Sequence, residues 1–433
     1  MHPTETLRYQ PEKTRLALGF IPLTDCAPLI VARERGLFDK WGLEVELKRE
    51  VSWANIRDRV IIGELDGAQM LAPMPLACSA GLGSVTKPML APFVLSLNGN
   101  AITLSASLHR ALVEQAGSRE DEAVGRALKR HLDRERAEGK PRRTFATVFP
   151  YSMHTLQLRL WLAHHGIDPD RDVRIVVIPP PQMVANLDQG HVDGFCVGEP
   201  WNTLAVRQGV GRIAITGYEI WNNAPEKVLG VTRDWAAAHP QTLKALMAAL
   251  HEACAWLDQP ANRPEAARLV AHTGLIDVPV DAVAPSLVGR LVPGPDEPAV
   301  EQPDFTVFHR YAANYPWWSQ AWWMLKRLRT HEQPPGGPGL DTIRLAAEVF
   351  DDRPYRELMH DLGKPLPSDQ AKSEGIHPGT WRDAGGFTLG ADRFLDGQAF
   401  DPSARTQHHL HHDGENDATR RGTNPGGVKS RKP

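Results

Sequence analysis

The 433-residue sequence is poor in cysteine, with four residues at Cys26, Cys78, Cys196 and Cys254. They lie far apart and show none of the CxxC or Cys/His spacings of a zinc site or a redox motif. Each therefore reads as a small buried apolar residue in a reduced compartment. Charge of one sign is also scarce: 49 Lys plus Arg stand against 52 Asp plus Glu, a net charge of −3. That balance excludes recognition of a polyanion by global charge, so direct nucleic-acid binding is not expected. No uncharged run approaches the roughly 18 residues a membrane span needs. The first thirteen residues contain no apolar stretch, twin arginine or lipid-bearing cysteine, which sets the expectation of a cytoplasmic protein. GxSxG, HExxH, Walker A and GxGxxG motifs are all missing, and no repeat of solenoid length is present. An enzyme therefore has no motif here, although catalytic groups also assemble in space.

The composition that is present, 42% hydrophobic and 23% charged, is that of a globular chain. At roughly 150 residues per domain it predicts two or three units. From residue 14 short apolar runs alternate with helical patterns, which predicts α/β layers around mainly parallel sheets. The first set comprises strands at 15–21, 44–48, 65–71 and 91–97. The helix following the first strand is read as capped by Thr24 and Asp25 and stopped by Gly36; further helices are read at 53–62 and 73–80. A second set places strands at 144–149, 173–178, 192–197 and 212–216, with helices at 154–165, 181–189 and 199–208. Between the sets, residues 119–142 form a charged, helix-compatible insertion that reads as a solvated face. A strand at 228–232 leads into helices at 240–257 and 264–273 and an aromatic-rich stretch. Residues 332–339 are linker-like. A C-terminal extension then runs to 402, and residues 403–433 read as a disordered tail. Its His408, His409, His411 and His412 are of a type that binds metal, but a flexible tail supplies no preorganised geometry.

Several polar residues stand at element ends: Trp53 opening a helix, Asn98-Gly99-Asn100 closing a strand, His154 beginning a helix, Gly198 joining strand to helix, and Lys227 after a loop. In open α/β sheets ligands bind beyond strand carboxyl ends, where helix N-termini favour a small anion. Taken singly, each residue has an ordinary role: core for the tryptophan, solvation for the lysine, a helix cap for the histidine, a turn for Asn-Gly-Asn. Glu199 complements the helix it enters and is not assigned to the anion.

The blocks around these residues resemble one known family. Gly19-Phe-Ile-Pro-Leu-Thr-Asp25, Ser52-Trp53, Asp66-Gly-Ala68, Pro73-Met-Pro75, residues 179–186, Phe195-Cys-Val-Gly-Glu-Pro-Trp-Asn202 and Pro225-Glu-Lys227 look like the nitrate/bicarbonate-binding proteins of ABC importers. The same family includes the cytoplasmic nitrate and nitrite sensors of the NasS type, and it is that branch the sequence most resembles. The resemblance covers residues 14 to 330 and, more weakly, the chain to 402.

It implies a periplasmic-binding-protein type II fold. Residues 14–97 plus 217–330 would form one lobe and 101–214 the other, with two hinge crossings and a ligand cleft. It implies a nitrate or nitrite pocket from Trp53, Asn98, Gly99, Asn100, His154, Gly198 and Lys227, with no cofactor, no metal and no catalytic residue. Lys227 would supply the cation, His154 and Asn100 hydrogen-bond donors, and Trp53 a flat wall. Asn100 stands where importer members typically carry glutamine. Bicarbonate brings an O–H that calls for an acidic residue or calcium, and lysine at 227 argues for nitrate or nitrite instead. With no export signal read, the expected role is a sensor whose partner is an ANTAR-type RNA-binding antiterminator. The substrate-binding component of a nitrate ABC importer is the alternative, and an enzyme on the same fold a distant one.

Overall fold

The computed structural model describes residues 8–83, 85–272, 275–332 and 341–403. Residues 333–339 of the linker-like segment and the His-rich tail lie outside them, while residue 332 ends the helix Trp318–Glu332. Two mixed sheets are built from β1 (Arg15–Phe20), β2 (Glu44–Arg49), β3 (Gly67–Leu71), β4 (Met89–Asn98), β5 (Asn100–Ser105), β6 (Thr144–Thr147), β7 (Arg174–Val177), β8 (Gly194–Gly198), β9 (Gly211–Thr216) and β10 (Pro225–Thr232), with the short strand Thr306–Val307 at one edge. The first sheet has the order Thr306–Val307, β4, β10, β3, β1, β2, and the second β7, β6, β8, β5, β9.

The expectation of mainly parallel sheets needs correction, chiefly at two strands. β10 runs antiparallel to β3 and β4, and β5 antiparallel to β8 and β9. These are the strands by which the chain enters each lobe from the other. A strand arriving across the cleft runs against the βα units already there, so it pairs antiparallel. The edge pair Thr306–Val307 also runs antiparallel, to β4; the pairings of β1 with β2 and β3 and of β6 with β7 and β8 are parallel, with helices in their connections.

The first crossing is a single residue between β4 and β5. Asn98 (φ 61°) and Gly99 (φ 94°) both occupy the left-handed region, where asparagine and glycine are the least strained residues. Asn98 Nδ2 donates to the Asp304 carbonyl (2.8 Å) and to Asn223 Oδ1 (3.2 Å), and its Oδ1 accepts from the Ala224 amide (3.1 Å). Its side chain thus ties the first crossing to the second, which runs through residues 217–224. There Thr216 and Glu219 close a reciprocal capping box on a single helical turn, Gly217–Ile220.

Two other regions depart from their sequence reading or add to it. The charged insertion is a helix, Asp121–Ala137, and is not solvated all round. Val124, Leu128 and Leu132 recur every four residues, and that stripe is buried against Leu108, Leu112 and Trp161 of the second lobe. The C-terminal extension packs on the first lobe, with Val349, Phe350, Tyr355 and Leu358 entering its core. From there the extension reaches the second crossing. The Trp221 ring lies 4.5 Å from that of Trp323 and 4.9 Å from that of Phe394, and its Nε1 donates to Glu374 Oε2 (3.2 Å). Backbone bonds Asn222 N to Arg393 O and Leu395 N to Ile220 O (each 2.9 Å) complete the clamp.

Phe394 is 6% exposed, so Phe394→Ala should cost about 3–5 kcal/mol in urea unfolding. An unchanged midpoint would show that the extension does not hold the crossing.

Candidate anion site between the lobes

The site is built from the ends of elements in both lobes. Ser52 caps the helix Trp53–Ile61 by accepting from the Asn55 amide (3.2 Å), which sets Trp53 at the first helical position with its indole 1% exposed. In the opposite lobe Ser152 caps the helix Met153–His164 through the Thr155 amide (3.1 Å). His154 is therefore not the cap; it is left facing inward and fully buried. β10 carries Lys227, also fully buried, with its Nζ 5.5 Å from the Trp53 ring centre.

Lys227 Nζ is held by two carboxylates, Asp25 Oδ2 and Glu226 Oε1, each at 2.7 Å. Glu226 and Lys227 are neighbours in a strand and would ordinarily point to opposite faces. The register of β10 against β4 shifts on both sides of Lys227, and this bulge lets both side chains reach the cleft. Asp25 comes from the 3₁₀ turn Thr24–Cys26, where no side-chain cap bond forms. The capping role read for Thr24 and Asp25 is corrected accordingly: Asp25 Oδ1 accepts from Gln69 Nε2 (2.6 Å) and its other oxygen takes the lysine.

From the second lobe, Asn100 Nδ2 donates to Gln157 Oε1 (2.9 Å) and Glu226 Oε2 (2.6 Å). Both amide hydrogens are thereby used, so Asn100 is not the donor to an anion that the sequence suggested. Among the described residues its Oδ1 has no hydrogen-bond partner, nor have Trp53 Nε1, Thr24 Oγ1 or either nitrogen of His154. His154 Nδ1 stands 3.6 Å from Glu226 Oε1. Gly198 closes the wall: a Cβ there would meet Asn100 Oδ1 at 3.5 Å and Asp25 Oδ2 at 3.6 Å.

Of the seven residues singled out from the sequence, Trp53, Asn100, His154, Gly198 and Lys227 converge. Asn98 and Gly99 form the crossing, and the Asn98 side chain turns to Asp304 and Asn223. Asp25, Glu226, Gln69 and Gln157 were missed. The position of Asp25 just beyond the end of β1 was a usable signal; for Glu226 the bulge erased one.

Burial governs the charges. It pushes the Asp25 and Glu226 carboxyls up, against the pull of Lys227. It also disfavours the lysine's charge, but the two carboxylates outweigh it and hold the ammonium above the ordinary lysine value. Burial, reinforced by Lys227, holds His154 well below the usual range, so the ring is neutral with one N–H and one lone pair. Burial raises the thiols of Cys26 and Cys196, which stay protonated. Glu199, pushed up to about 7 by burial, accepts from the Thr203 amide (3.0 Å) at the helix it enters. Its carbonyl accepts from the Thr24 amide (2.7 Å) across the cleft.

The chain is similar to known proteins in sequence and fold. The model of the NMT1-like family matches residues 9–271. The nitrate/nitrite binding protein NrtA of Synechococcus elongatus is 35% identical over 404 residues, covering 90% of this chain and 84% of that protein. The nitrate import ATP-binding protein NrtC of Synechocystis is 44% identical over 319 residues; the match takes in 73% of this chain but only 46% of that one, so this chain spans less than half of that relative. The crystal structure of the periplasmic nitrate-binding protein NrtA from Synechocystis superposes with a TM-score of 0.79 at 31% identity, covering 93% of this chain and 98% of that one. The two-lobed periplasmic-binding-protein fold expected from the sequence is thus borne out. By its family match and its identity to NrtA along nearly its whole length, the chain belongs to the NMT1-like family and is homologous to the nitrate- and bicarbonate-binding proteins of ABC importers.

Proposed function

We propose that this chain captures nitrate or nitrite between its lobes as the substrate-binding component of an ABC importer. One observation carries the reading: a fully buried lysine lies where the lobes meet, beside buried donors with no partner, Trp53 Nε1 and His154. A planar anion that only accepts hydrogen bonds suits a flat indole, an imidazole N–H and an ammonium. Closure of the lobes around it follows the usual hinge behaviour of such folds.

The charge balance adds a condition. With Asp25 and Glu226 ionised the triad carries a net −1, and a bound anion would face both carboxylates. Two like charges about 4 Å apart repel by about 4 kcal/mol at an effective dielectric of 20. The anion therefore displaces a carboxylate from Lys227, and that carboxylate takes up a proton that burial already favours.

Bicarbonate is the second reading, because lysine at 227 no longer argues against it: Glu226 and Asn100 Oδ1 are acceptors for its O–H. Relatives named for nitrate binding and import favour the importer role over the sensor role. In the sensor role an ANTAR-type antiterminator would be the partner and the location cytoplasmic.

Calorimetry with nitrate, nitrite, bicarbonate and sulfate should give a nitrate dissociation constant on the order of micromolar. Lys227→Met should lose nitrate binding; unchanged affinity would remove Lys227 from the site. Trp53→Phe, which deletes one donor, should weaken nitrate about tenfold. Tighter binding of bicarbonate than of nitrate would transfer the proposal to the second reading. For the role, mixing purified protein with the importer's permease or with the antiterminator should give a nitrate-strengthened complex with the permease. A nitrate-released complex with the antiterminator instead would establish the sensor.

A further inference from the structure

We infer that the second lobe carries a zinc-type divalent metal site formed by Glu122, His164 and His165, independent of what the cleft binds. The three residues meet where the first turn of the helix Asp121–Ala137 packs against the last turn of Met153–His164. One ligand atom from each lies within 4.8 Å of the other two. Glu122 Oε2 is 3.1 Å from His164 Nε2 and 3.9 Å from His165 Nδ1. Ligand atoms bonded to a tetrahedral zinc ion at about 2.0–2.1 Å stand about 3.4 Å apart, so Glu122 stands near that spacing from each of the two histidines.

The histidine at the centre is arranged as a ligand. The His165 side chain is 1% exposed, and its Nδ1 has no hydrogen-bond partner among the described residues. Its other nitrogen, Nε2, lies 3.2 Å from Asp121 Oδ2, and Asp121 Oδ1 in turn accepts from Trp161 Nε1 (2.8 Å). The carboxylate thereby holds the proton on Nε2 and leaves the Nδ1 lone pair facing Glu122. This carboxylate–histidine pairing is the support that metal-bound imidazoles ordinarily have. Glu122 is oriented too: Arg126 Nη1 occupies Oε1, leaving Oε2 for the two rings.

The helix gives up stability for this ring. Gly125 sits within a 17-residue helix, where glycine costs about 1 kcal/mol relative to alanine. A Cβ there would lie 2.2–2.3 Å from three atoms of the His165 ring, so only glycine admits the imidazole. Two imidazoles and a carboxylate select zinc and similar borderline ions over magnesium or calcium. Glu122 and His164 are partly exposed, which provides entry and a solvent fourth ligand. The ion would pin the insertion helix to the helix that carries His154, roughly 15 Å along the axis from the cleft.

The test uses the full-length chain with His408, His409, His411 and His412 replaced by serine, so that the tail does not compete for metal. Zinc titration against a chelator should give one equivalent, and cobalt(II) should give the visible absorption of a four- or five-coordinate site. Glu122→Gln and His164→Gln, both at the surface, and His165→Gln should each weaken zinc at least tenfold; the two surface variants decide the matter if His165→Gln does not fold. Substoichiometric zinc in the parent, or zinc bound equally tightly by Glu122→Gln and His164→Gln, would overturn the site.

Discussion

The cleft is organised around one buried positive charge. Lys227 has no solvent, and an unpaired ammonium in that position would be very costly. Asp25 from the 3₁₀ turn after β1 and Glu226 beside the lysine in its strand supply the counter-charge, while Asn100, which also donates to Gln157, reaches Glu226 from the opposite lobe. The lobes thus meet through a polar network on which the rest of the site depends. Trp53 lies against the ammonium, and the charge of Lys227 helps keep His154 neutral. Under the proposed function, an entering anion exchanges with a partner the lysine already has. This is a means of selecting for charge as well as shape.

The hinge obeys a related constraint. Two chain crossings join the lobes, and neither can leave unpaired backbone groups buried. Asn98 meets it with a left-handed conformation and a side chain that satisfies the other crossing; residues 217–224 meet it with the capping box and the C-terminal clamp on Trp221. Packing of the extension against the crossing links residues more than 150 positions apart, so the extension is part of the lobe machinery and not an appendage.

These features differ in how far the sequence discloses them. Trp53, His154 and Lys227 were legible because each follows a cap, a turn or a loop, and such positions face a cleft in any open α/β sheet. Asn98 and Asn100 could not be told apart: they are two residues apart in one turn, and only the left-handed geometry at Asn98 and Gly99 sends one to the hinge and the other to the site. Glu226 was hidden because strand alternation assigns it to the face opposite Lys227, and a bulge depends on the partner strand. The stripe Val124, Leu128, Leu132 was legible in principle, but the charge of residues 119–142 obscured it. The antiparallel entry of β5 and β10 follows from chain topology, which local periodicity does not carry.

If the anion must displace a carboxylate from Lys227, binding is linked to protons. The bound state holds a carboxyl with a higher pKa than the free state, so it binds more protons, and affinity falls as pH rises. Calorimetry of nitrate binding near neutral pH in buffers of differing ionisation enthalpy measures that proton directly. Uptake of about one proton per nitrate is the predicted result. Nitrate binding with no proton uptake, and with an affinity that does not change from pH 6 to about 8.5, would contradict the account.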